Sequence, residues 1–386
     1  MTLSLTDEQR ALRDAVRELA DERIKPRAAA IDESAEFPWD VVELLAAHDV
    51  LALPFPEAHG GLGGELLSVC LAIEQISRAC ATSGLIVALQ ELGALPLLIA
   101  GTPEQQARWF PDLAAGRALA AFAITESEAG SDAAAIRTRA LADGDGWRID
   151  GAKRFISQGN VAKMVTVFAV TDPAPEALRA KRHLSCFIVE QGTSGFSVGR
   201  LEHKMGIRGS PTAELLFDGV HVPDAHRVGA VGEGWSIALR TLDRSRPGIA
   251  AQAVGIAQGA LEVATRYATE RRQFGRRIGE HQMVAAMLAD MATRTEAARQ
   301  LLYAAAVEIE AGSPSAGRWA AMCKLFAGDT AMAVTTDAVQ VLGGYGYLSD
   351  YPVERMMRDA KITQIYEGTQ QIQRLVIGRD LLARGR

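Results

Sequence analysis

The stretch GWRIDGAKRFIS (residues 146–157) marks the point at which the chain changes from helical to β-type patterning. Apolar and polar residues alternate within it, as expected of strands that bury one face. Its Asp150-Gly151 pair is a turn signal, which predicts a hairpin between two short strands. Three further β-type runs follow, at MVTVFAV (164–170), LSCFIVE (184–190) and AELLFDGVHV (213–222). No long helical pattern alternates with these runs, so an antiparallel sheet or barrel is predicted here.

Helical patterns lie on both sides of this β-type region. Upstream, Thr6 and Gln9 form a capping-box signature that precedes apolar residues at helical spacing. Downstream of Gly234, long runs rich in Ala, Leu and Met indicate about four helices, the number typical of a small bundle. The sequence therefore predicts an α+β protein that is mostly α. Its parts are an N-terminal helical domain (1–118), a middle β domain (119–230) and a C-terminal helical bundle (231–386).

Composition and charge narrow the classes of partner. The chain of 386 residues carries a net charge of −6, which argues against nucleic acid or an anionic membrane as the main partner. The apolar run at 84–101 is interrupted by Gln90 and Glu91, which predicts a buried helix rather than a membrane span. Within that helix, Glu91 is expected to face solvent or a partner side chain, because an unpaired buried charge is costly.

The remaining sequence signals predict an intracellular protein without metal. Residues 1–7 lack the pattern of a signal peptide. Four scattered cysteines show neither zinc-site spacing nor a disulfide framework, and seven histidines are equally scattered, so no metal site is expected. A cytoplasmic location is therefore the expectation. No glycine-rich stretch has the strand and helix context of a dinucleotide fingerprint, and no nucleophile elbow occurs.

Two polar stretches stand out in the β-type region. AFAITESEAGSDAAA (121–135) places the hydroxyls of Thr125 and Ser131 near Gly130. Such a loop can grip a polar ring or a phosphate, although a plain solvated loop is the alternative. In KRFISQG (153–159), Phe155 and Ser157 share one face of a strand. This pair suits a flat heterocycle that needs a wall and a hydrogen bond, and ordinary packing is again the alternative.

A third stretch contains a single carboxylate. ITQIYEGTQQIQRL (362–375) holds Glu367 among apolar, amide and hydroxyl groups. A carboxylate in weakly polar surroundings loses hydration, so its pKa rises, and a raised pKa suits a general base. The alternative is an acid at the start of a helix, stabilised by the helix dipole.

Four stretches in this order resemble the acyl-CoA dehydrogenase family along nearly the full chain. They are ITESEAGSD (124–132), KRFIS (153–157), ERRQFGRRIGEHQ (270–282), and VQVLGGYGY with YPVERMMRDAKITQIYEGTQQIQRL (339–347 and 351–375). The resemblance implies an N-terminal helical domain, a β-barrel-like middle domain and a C-terminal four-helix bundle. It also implies FAD held without a dinucleotide fingerprint, and a homotetramer built as a dimer of dimers.

The resemblance implies a reaction for Glu367 in its Tyr-Glu-Gly-Thr motif. The family base takes the α-proton of an acyl thioester while the β-hydride passes to flavin N5, which gives a trans-2-enoyl thioester. The thioester carbonyl accepts hydrogen bonds from a flavin ribityl hydroxyl and from the N–H of the base residue. Some branches carry the base on the first bundle helix; the corresponding stretch of this chain, TLDRSRPG (241–248), has Asp243 as its only acid.

The resemblance further implies a set of binding residues. Cofactor contacts are expected from Phe122, Ile124, Thr125, Ser131, Phe155, Ser157, Arg271, Gln273, Phe274, Gln282, Gln340, Gly343, Gly344, Thr369 and Gln371. Substrate contacts are expected from Ser131, Asp243, Arg246 and Gly368. Of the first set, Arg271, Gln273 and Phe274 are expected to reach the FAD of a neighbouring subunit, with the arginine on the pyrophosphate.

Electron acceptor and carrier stay open at this point. The family often has Trp where this chain has Phe155, which bears on transfer to an electron-transfer flavoprotein. The main alternative is a dehydrogenase of an acyl or aminoacyl group on a carrier protein. An oxygen-using oxidase is a further alternative, whereas a DNA-associated flavoprotein would need a basic surface that the net charge does not suggest.

Overall fold

The structure is a computed structural model that describes residues 5–384. Residues 1–4, which belong to the predicted N-terminal domain and to the stretch without a signal-peptide pattern, lie outside the described residues. So do residues 385 and 386 of the predicted bundle. Helices occupy the chain before the sheet: α1 (Asp7–Leu19), α2 (Ala28–Ser34), α3 (Trp39–Ala47), α4 (Leu66–Ala79), α5 (Ala81–Ala100) and α6 (Pro103–Ala114).

Local sequence explains where the first helix begins. The Thr6 hydroxyl accepts the Gln9 N–H at 3.2 Å, and the Gln9 side chain accepts the Thr6 N–H at 3.0 Å. The predicted capping box is thus confirmed. Helix α5 is the one helix of residues 5–384 with the length and composition to cross a membrane, and 83% of its apolar stretch is buried within the protein. This confirms the prediction of a buried helix.

The middle of the chain forms one mixed sheet. Its strands are β1 (Ala120–Ala123), β2 (Arg139–Asp143), β3 (Gly146–Ser157), β4 (Met164–Val170), β5 (Leu184–Glu190), β6 (Phe196–Leu201), β7 (Thr212–Pro223) and β8 (Arg227–Val228). A short helix, α7 (Pro175–Arg179), joins β4 to β5. The strand order is β6-β7-β3-β2-β4-β5-β8, and β1 also pairs with β4. Most neighbours are antiparallel as predicted, but β1 and β2 run parallel to β4, because the β2–β3 hairpin lies between β1 and β4 along the chain.

The predicted hairpin at Asp150-Gly151 is wrong. Strand β3 continues through both residues, with a bulge in its register against β7. The turn lies earlier, at Gly144 and Asp145, since Asp143 pairs with Gly146 across a two-residue loop. Gly144 adopts φ +61°, which glycine tolerates readily. A two-residue turn signal and a bulge look alike in sequence, and only pairing with β7 distinguishes them.

The C-terminal part is helical. It contains α8 (Gly234–Glu270), a small hairpin of β9 (Arg272–Gln273) and β10 (Arg276–Arg277), α9 (Gln282–Glu310), α10 (Ala316–Leu342), α11 (Val353–Ile362) and α12 (Gln370–Arg384). About four helices were predicted, and the described residues contain five. The last predicted stretch is divided because Glu367 and Gly368 adopt φ +52° and φ +91°, which a right-handed helix cannot accommodate.

Helix α5 connects the helical domain to the sheet. The Gln90 amide donates to the carbonyls of Leu113 (2.7 Å) and Ala118 (2.9 Å) and accepts the Ala120 N–H at 3.0 Å. A Cβ at Gly93 would lie 2.6 Å from the Cβ of Ala120, so only glycine permits this approach. The result is a rigid junction between α5 and β1, beside which the main cavity opens.

Candidate functional site

A cavity of about 630 Å³ lies between the sheet, α5, α8 and α12, and is called the main cavity below. Its inner end is formed by buried apolar side chains such as Leu89, Leu92 and Ile249. Its outer end carries the exposed basic residues Lys181 and Arg379. The exposed acid Asp132 lines the cavity too, so an apolar interior opens to a mouth with two basic groups and one acidic group.

The sheet supplies one wall of the main cavity. Predicted contacts that line it from this side are Phe122, Ile124, Thr125, Ser131, Phe155 and Ser157. Phe155 has φ +59°, an unusual backbone state for a bulky residue, and its side chain is 56% exposed. Such strain persists where the surrounding structure imposes it, commonly at binding sites. The sheet thus presents an uncovered aromatic ring beside the Ser157 hydroxyl.

A buried ion pair supports the loop that carries Thr125 and Ser131. The Lys153 ammonium, 0% exposed, donates to Glu126 at 2.8 Å and to the Ile124 carbonyl at 3.1 Å. Glu126 also accepts the N–H and O–H of Thr138, at 2.9 and 2.6 Å. These bonds attach the loop to β3 from behind, which keeps its hydroxyls facing the cavity.

Opposite the sheet, a turn at 366–369 presents Glu367 to the cavity. The carbonyl of Glu367 accepts from Arg246 Nε (3.3 Å) and from Gln373 Nε2 (3.1 Å). The next carbonyl, of Gly368, accepts from Lys324 Nζ (2.7 Å) and again from Gln373 (2.9 Å). Donors from α8, α10 and α12 thus hold both peptide groups, which explains how a left-handed glutamate is maintained.

The Glu367 carboxyl group is half-buried and has one direct hydrogen-bond donor. Ser245 Oγ donates to Glu367 Oε2 at 2.5 Å. Burial raises the pKa of Glu367 above its usual value, although the Ser245 hydrogen bond and the charges of Arg246 and Lys324 oppose this. A carboxylate with a raised pKa that faces a cavity is suited to accept a proton.

The backbone N–H of Glu367 has no hydrogen-bond acceptor among residues 5–384. Glu367 is half-buried and lines the cavity, so its unpaired N–H is available to an acceptor on a ligand bound there. A base and an unused donor thus belong to the same residue. This arrangement suits removal of a proton next to a carbonyl group, because the N–H can stabilise the developing oxygen charge.

A second cavity, of about 510 Å³, lies near the β9–β10 hairpin and is called the side cavity. It brings together the predicted residues Arg271, Gln273, Gly343 and Gly344. A Cβ built at either glycine would meet nothing within 4 Å, so the backbone there is open to approach. These residues are separate from the sheet wall of the main cavity within one chain.

The other predicted residues lie outside both cavities. They are Asp243, Phe274, Gln282, Gln340, Thr369 and Gln371. Asp243 forms an ion pair with Arg246 at 2.9 Å, and burial raises the pKa of its carboxyl group. Phe274 is 93% exposed.

Three residues of the Glu367 environment were not singled out from the sequence: Ser245, Lys324 and Gln373. Ser245 directly precedes Arg246, and Lys324 is the one lysine of the Ala-rich helix α10 (316–342), which was an available signal. Their function depends on contacts across long sequence separations, which local patterning does not show.

The expectation for Glu91 is wrong. Its side chain is 2% exposed, and no hydrogen bond or ion pair within 4 Å joins it to any residue in 5–384. Oε2 lies 3.9 Å from the position that a Cβ on Gly248 would occupy. Burial raises the pKa of Glu91 to about 7; nearby Arg244, itself paired with Glu310, opposes the rise, and Glu367 adds to it. The absent side chain of Gly248 leaves room for this carboxyl group in the interior.

Glu91→Gln is expected to change how stability depends on pH. The folded-state pKa of about 7 lies above the unfolded value of 4.5, so the wild type loses stability as pH rises through that interval. The loss amounts to roughly 3 kcal/mol at pH 8, and glutamine removes it. Thermal denaturation should show that the variant is more stable than the wild type at pH 8 but not at pH 5. An equal difference at both pH values would contradict a protonated Glu91.

The cavity residues fit a flavin nucleotide. Trp235 lines the main cavity, and its buried Nε1–H has no partner among the described residues, so a ligand acceptor is required there. Phe155 and Ser157 offer a ring face and a hydroxyl for a flat heterocycle. By contrast, residues 5–384 contain no cluster of three or more His, Cys, Asp or Glu that could hold a metal ion.

Family models match three consecutive parts of the chain. They describe the acyl-CoA dehydrogenase N-terminal domain (residues 6–117), middle domain (121–220) and C-terminal domain (232–382). A relative from Mycobacterium tuberculosis, named probable acyl-CoA dehydrogenase FadE25, is 49% identical over 378 residues, which cover 98% of this chain and 96% of that protein.

Solved structures agree with the family models. Butyryl-CoA dehydrogenase from Megasphaera elsdenii is 39% identical with a TM-score of 0.95, and the match covers 99% of this chain and 100% of that chain. A chain solved in work on the electron transferring flavoprotein of Acidaminococcus fermentans is 43% identical with a TM-score of 0.96, at the same coverage. Together with a cavity that fits a flavin, these matches show that the protein is an FAD-dependent oxidoreductase of the acyl-CoA dehydrogenase family.

Proposed function

We propose that the protein dehydrogenates an acyl-CoA to a trans-2-enoyl-CoA, with Glu367 as the base. The observation that carries the proposal is the pairing, in one residue, of a cavity-facing carboxylate and an unpaired backbone N–H. The family membership supports the reaction class. Asp243 is a poor alternative base because it lies outside the main cavity and is paired with Arg246.

The chain's own residues account for the proton transfer. A thioester carbonyl that accepts the Glu367 N–H acidifies the adjacent α-carbon, because the hydrogen bond strengthens as enolate charge develops. The Glu367 carboxylate then removes the α-proton. Ser245 orients that carboxylate through its 2.5 Å hydrogen bond. The apolar inner end excludes water around the acyl chain. FAD, when bound against Phe155 and Ser157, supplies the acceptor for the β-hydride.

Free coenzyme A is the proposed carrier, with a carrier protein as the alternative. Lys181 and Arg379 line the mouth, and neither forms an ion pair with any residue in 5–384. Two unpaired cations at the exposed end suit the phosphate groups of a polyanionic carrier. The butyryl-CoA dehydrogenase of M. elsdenii supports a CoA thioester, and butyryl-CoA is therefore the first substrate to test.

The experiment is anaerobic reduction of the bound flavin by matched thioesters of coenzyme A, pantetheine and an acyl-carrier protein. We expect acyl-CoA to reduce the flavin at the lowest concentration. Lys181→Glu should raise the acyl-CoA concentration that is needed for half-maximal flavin reduction. It should leave flavin reduction by acyl-pantetheine unchanged. Arg179→Glu is the matched control, since Arg179 is exposed at the end of α7, two residues before Lys181, but does not line the cavity. Reduction by the carrier-protein thioester alone would favour the alternative.

An electron-transfer flavoprotein is the proposed acceptor, and fatty acid metabolism in the cytoplasm is the proposed setting. The likeness to the A. fermentans chain supports that acceptor. Oxygen as acceptor is the alternative, because Phe155 lacks the indole that the family often has at this position. All four cysteines are buried and free, which accords with a reducing compartment.

A homotetramer is the proposed assembly. Large apolar side chains near the side cavity stand uncovered, with Phe274 93%, Tyr347 86% and Met283 78% exposed. Large apolar side chains exposed to this extent support an interface with another copy of the chain. Another copy would cover these side chains and place its own FAD against Arg271 and Gln273.

Arg271→Ala is expected to weaken FAD retention, because a charge-assisted contact to the pyrophosphate is lost from a neighbouring subunit. Arg272→Ala is the matched control, since Arg272 is adjacent and exposed but does not line the side cavity. Flavin absorbance per chain after gel filtration, with the mass of the assembly, measures both effects. Full retention of FAD by the Arg271 variant would remove this residue from the site.

A further inference from the structure

Lys324 is a buried cation that has no ion-pair partner in the part of the chain that the structure describes. Its side chain is 0% exposed, and no carboxylate among residues 5–384 lies within 4 Å of its ammonium group. It donates instead to the Gly368 carbonyl at 2.7 Å and to the Gln370 side chain at 3.3 Å. Burying an unpaired charge is costly, and a methionine would fill the same space without that cost. A buried lysine at this position therefore needs a reason beyond packing.

The contact of Lys324 lies one peptide from the base. The Gly368 carbonyl follows directly after Glu367, where both residues hold left-handed backbone angles. The Gly368 carbonyl lies two peptide groups after the one that carries the unpaired Glu367 N–H, within the same short turn, so holding this carbonyl restrains the backbone that presents the N–H. Gln373 shares the carbonyl, but its amide also binds the Glu367 carbonyl. Lys324 alone joins the turn to α10.

The ammonium group also acts on Glu367 through its charge. The charged groups that face Lys324 are Glu367, Arg246 on α8 and Asp329 on α10 itself. Glu367 is the largest electrostatic influence on Lys324, and Lys324 in turn favours the ionised Glu367. Arg246 acts on Glu367 in the same direction, so loss of Lys324 weakens the effect without abolishing it.

From this geometry we infer that Lys324 is a positioning residue, which orients the Glu367 peptide and stabilises the Glu367 carboxylate for proton removal. The inference rests on the proposed function of Glu367. It assigns two separable tasks to one buried side chain: a hydrogen bond to the Gly368 carbonyl and a positive charge near the base. Both tasks act through Glu367, since Lys324 does not line either cavity.

Two variants separate the tasks. Lys324→Met removes both the donor and the charge, whereas Lys324→Gln removes the charge and keeps an N–H donor. Ionisation of Glu367 is measured by infrared difference spectra of each protein against its Glu367→Gln counterpart over pH 4 to 9. Flavin reduction by butyryl-CoA is measured on the same samples. The control is Lys204→Met, because Lys204 donates to the Ser210 carbonyl at 2.6 Å in the β domain, away from the base.

We expect Glu367 to titrate at higher pH in both Lys324 variants and at the wild-type pH in the Lys204 variant. Flavin reduction should slow by about 10²-fold in Lys324→Met and recover partly in Lys324→Gln, since small displacements of reacting groups have effects of that size. Unchanged titration together with reduction within twofold of wild type in both variants would overturn the inference. If none of the thioesters reduced the flavin of the wild type, the proposed function would fail. The titration of Glu367 would still decide whether Lys324 acts on Glu367.

Discussion

Glu367→Gln is expected to slow reduction of the bound flavin by a thioester substrate by about 10² to 10⁴-fold, the range for loss of a general base. Glutamine keeps the side-chain shape and the backbone N–H, so FAD content, assembly and thioester binding should persist. The carboxylate that accepts the proton is removed. Anaerobic stopped-flow absorbance of the flavin measures the effect directly, with a substrate that the wild type accepts.

Two further variants make this result specific. Glu367→Asp should retain partial activity, because the carboxylate survives but is withdrawn by one methylene group. Asp243→Asn should leave the rate of flavin reduction within a fewfold of wild type, since Asp243 lies outside the main cavity and is paired with Arg246. Near-normal reduction in Glu367→Gln together with loss in Asp243→Asn would move the base to α8.

Lys153→Met is expected to lower the free energy of unfolding by about 3 kcal/mol, because it leaves the partly buried Glu126 carboxylate without its cation. Glu126 keeps its hydrogen bonds to residues 137 and 138, which places the loss at the low end for a broken buried pair. Lys153 lowers the pKa of Glu126 and burial raises it, so the pKa of Glu126 should be higher in the variant. The stability difference between variant and wild type should therefore shrink as the pH falls below the pKa of Glu126 in the folded variant. Thermal denaturation at pH 7 and pH 4 measures both effects.

The matched comparisons for this variant are Lys163→Met and the double variant Lys153→Met/Glu126→Gln. Lys163 is exposed, and its contact to Asp112 is long at 3.7 Å, so its loss should change stability little. The double variant removes both charges and should recover most of the loss, as replacement of whole buried pairs often does. A double variant as unstable as the single one would show that packing of Lys153, and not its charge, supports the loop.

Much of the main cavity could be predicted from the sequence. Phe155 and Ser157 were expected to share a face because they are two residues apart in a strand, and both line the cavity. Glu367 was identified from its surroundings and its Tyr-Glu-Gly-Thr motif, and it also lines the cavity. Motif and strand position are local properties, but alternation alone does not explain the placement of Phe155, which has φ +59° beside a bulge, and Ile156 lines the cavity as well. The division between the main and side cavities could not be predicted, since it depends on how α8, α10 and the sheet pack.

The errors have a common physical origin. Asp150-Gly151 carries a turn signal, but pairing of β3 with β7 outweighs it, and the signal corresponds to a bulge. Glu91 was expected to avoid the interior, yet α5 is surrounded by other elements, so no face of it near residue 91 reaches solvent. In both cases a long-range contact overrides a local preference.

By itself the sequence determined the order of helical, β and helical regions, the capping box at Thr6 and the motifs that identify the family, because these depend on neighbours along the chain. Only the tertiary structure decided the environment of Glu367. Ser245 and Lys324 lie 122 and 44 residues away along the chain from the atoms they bind. These contacts orient the base, while burial raises its pKa against the opposing effects of Ser245 and Lys324. They exist only once α8, α10 and α12 have packed together, because hydrogen bonds and burial act through space.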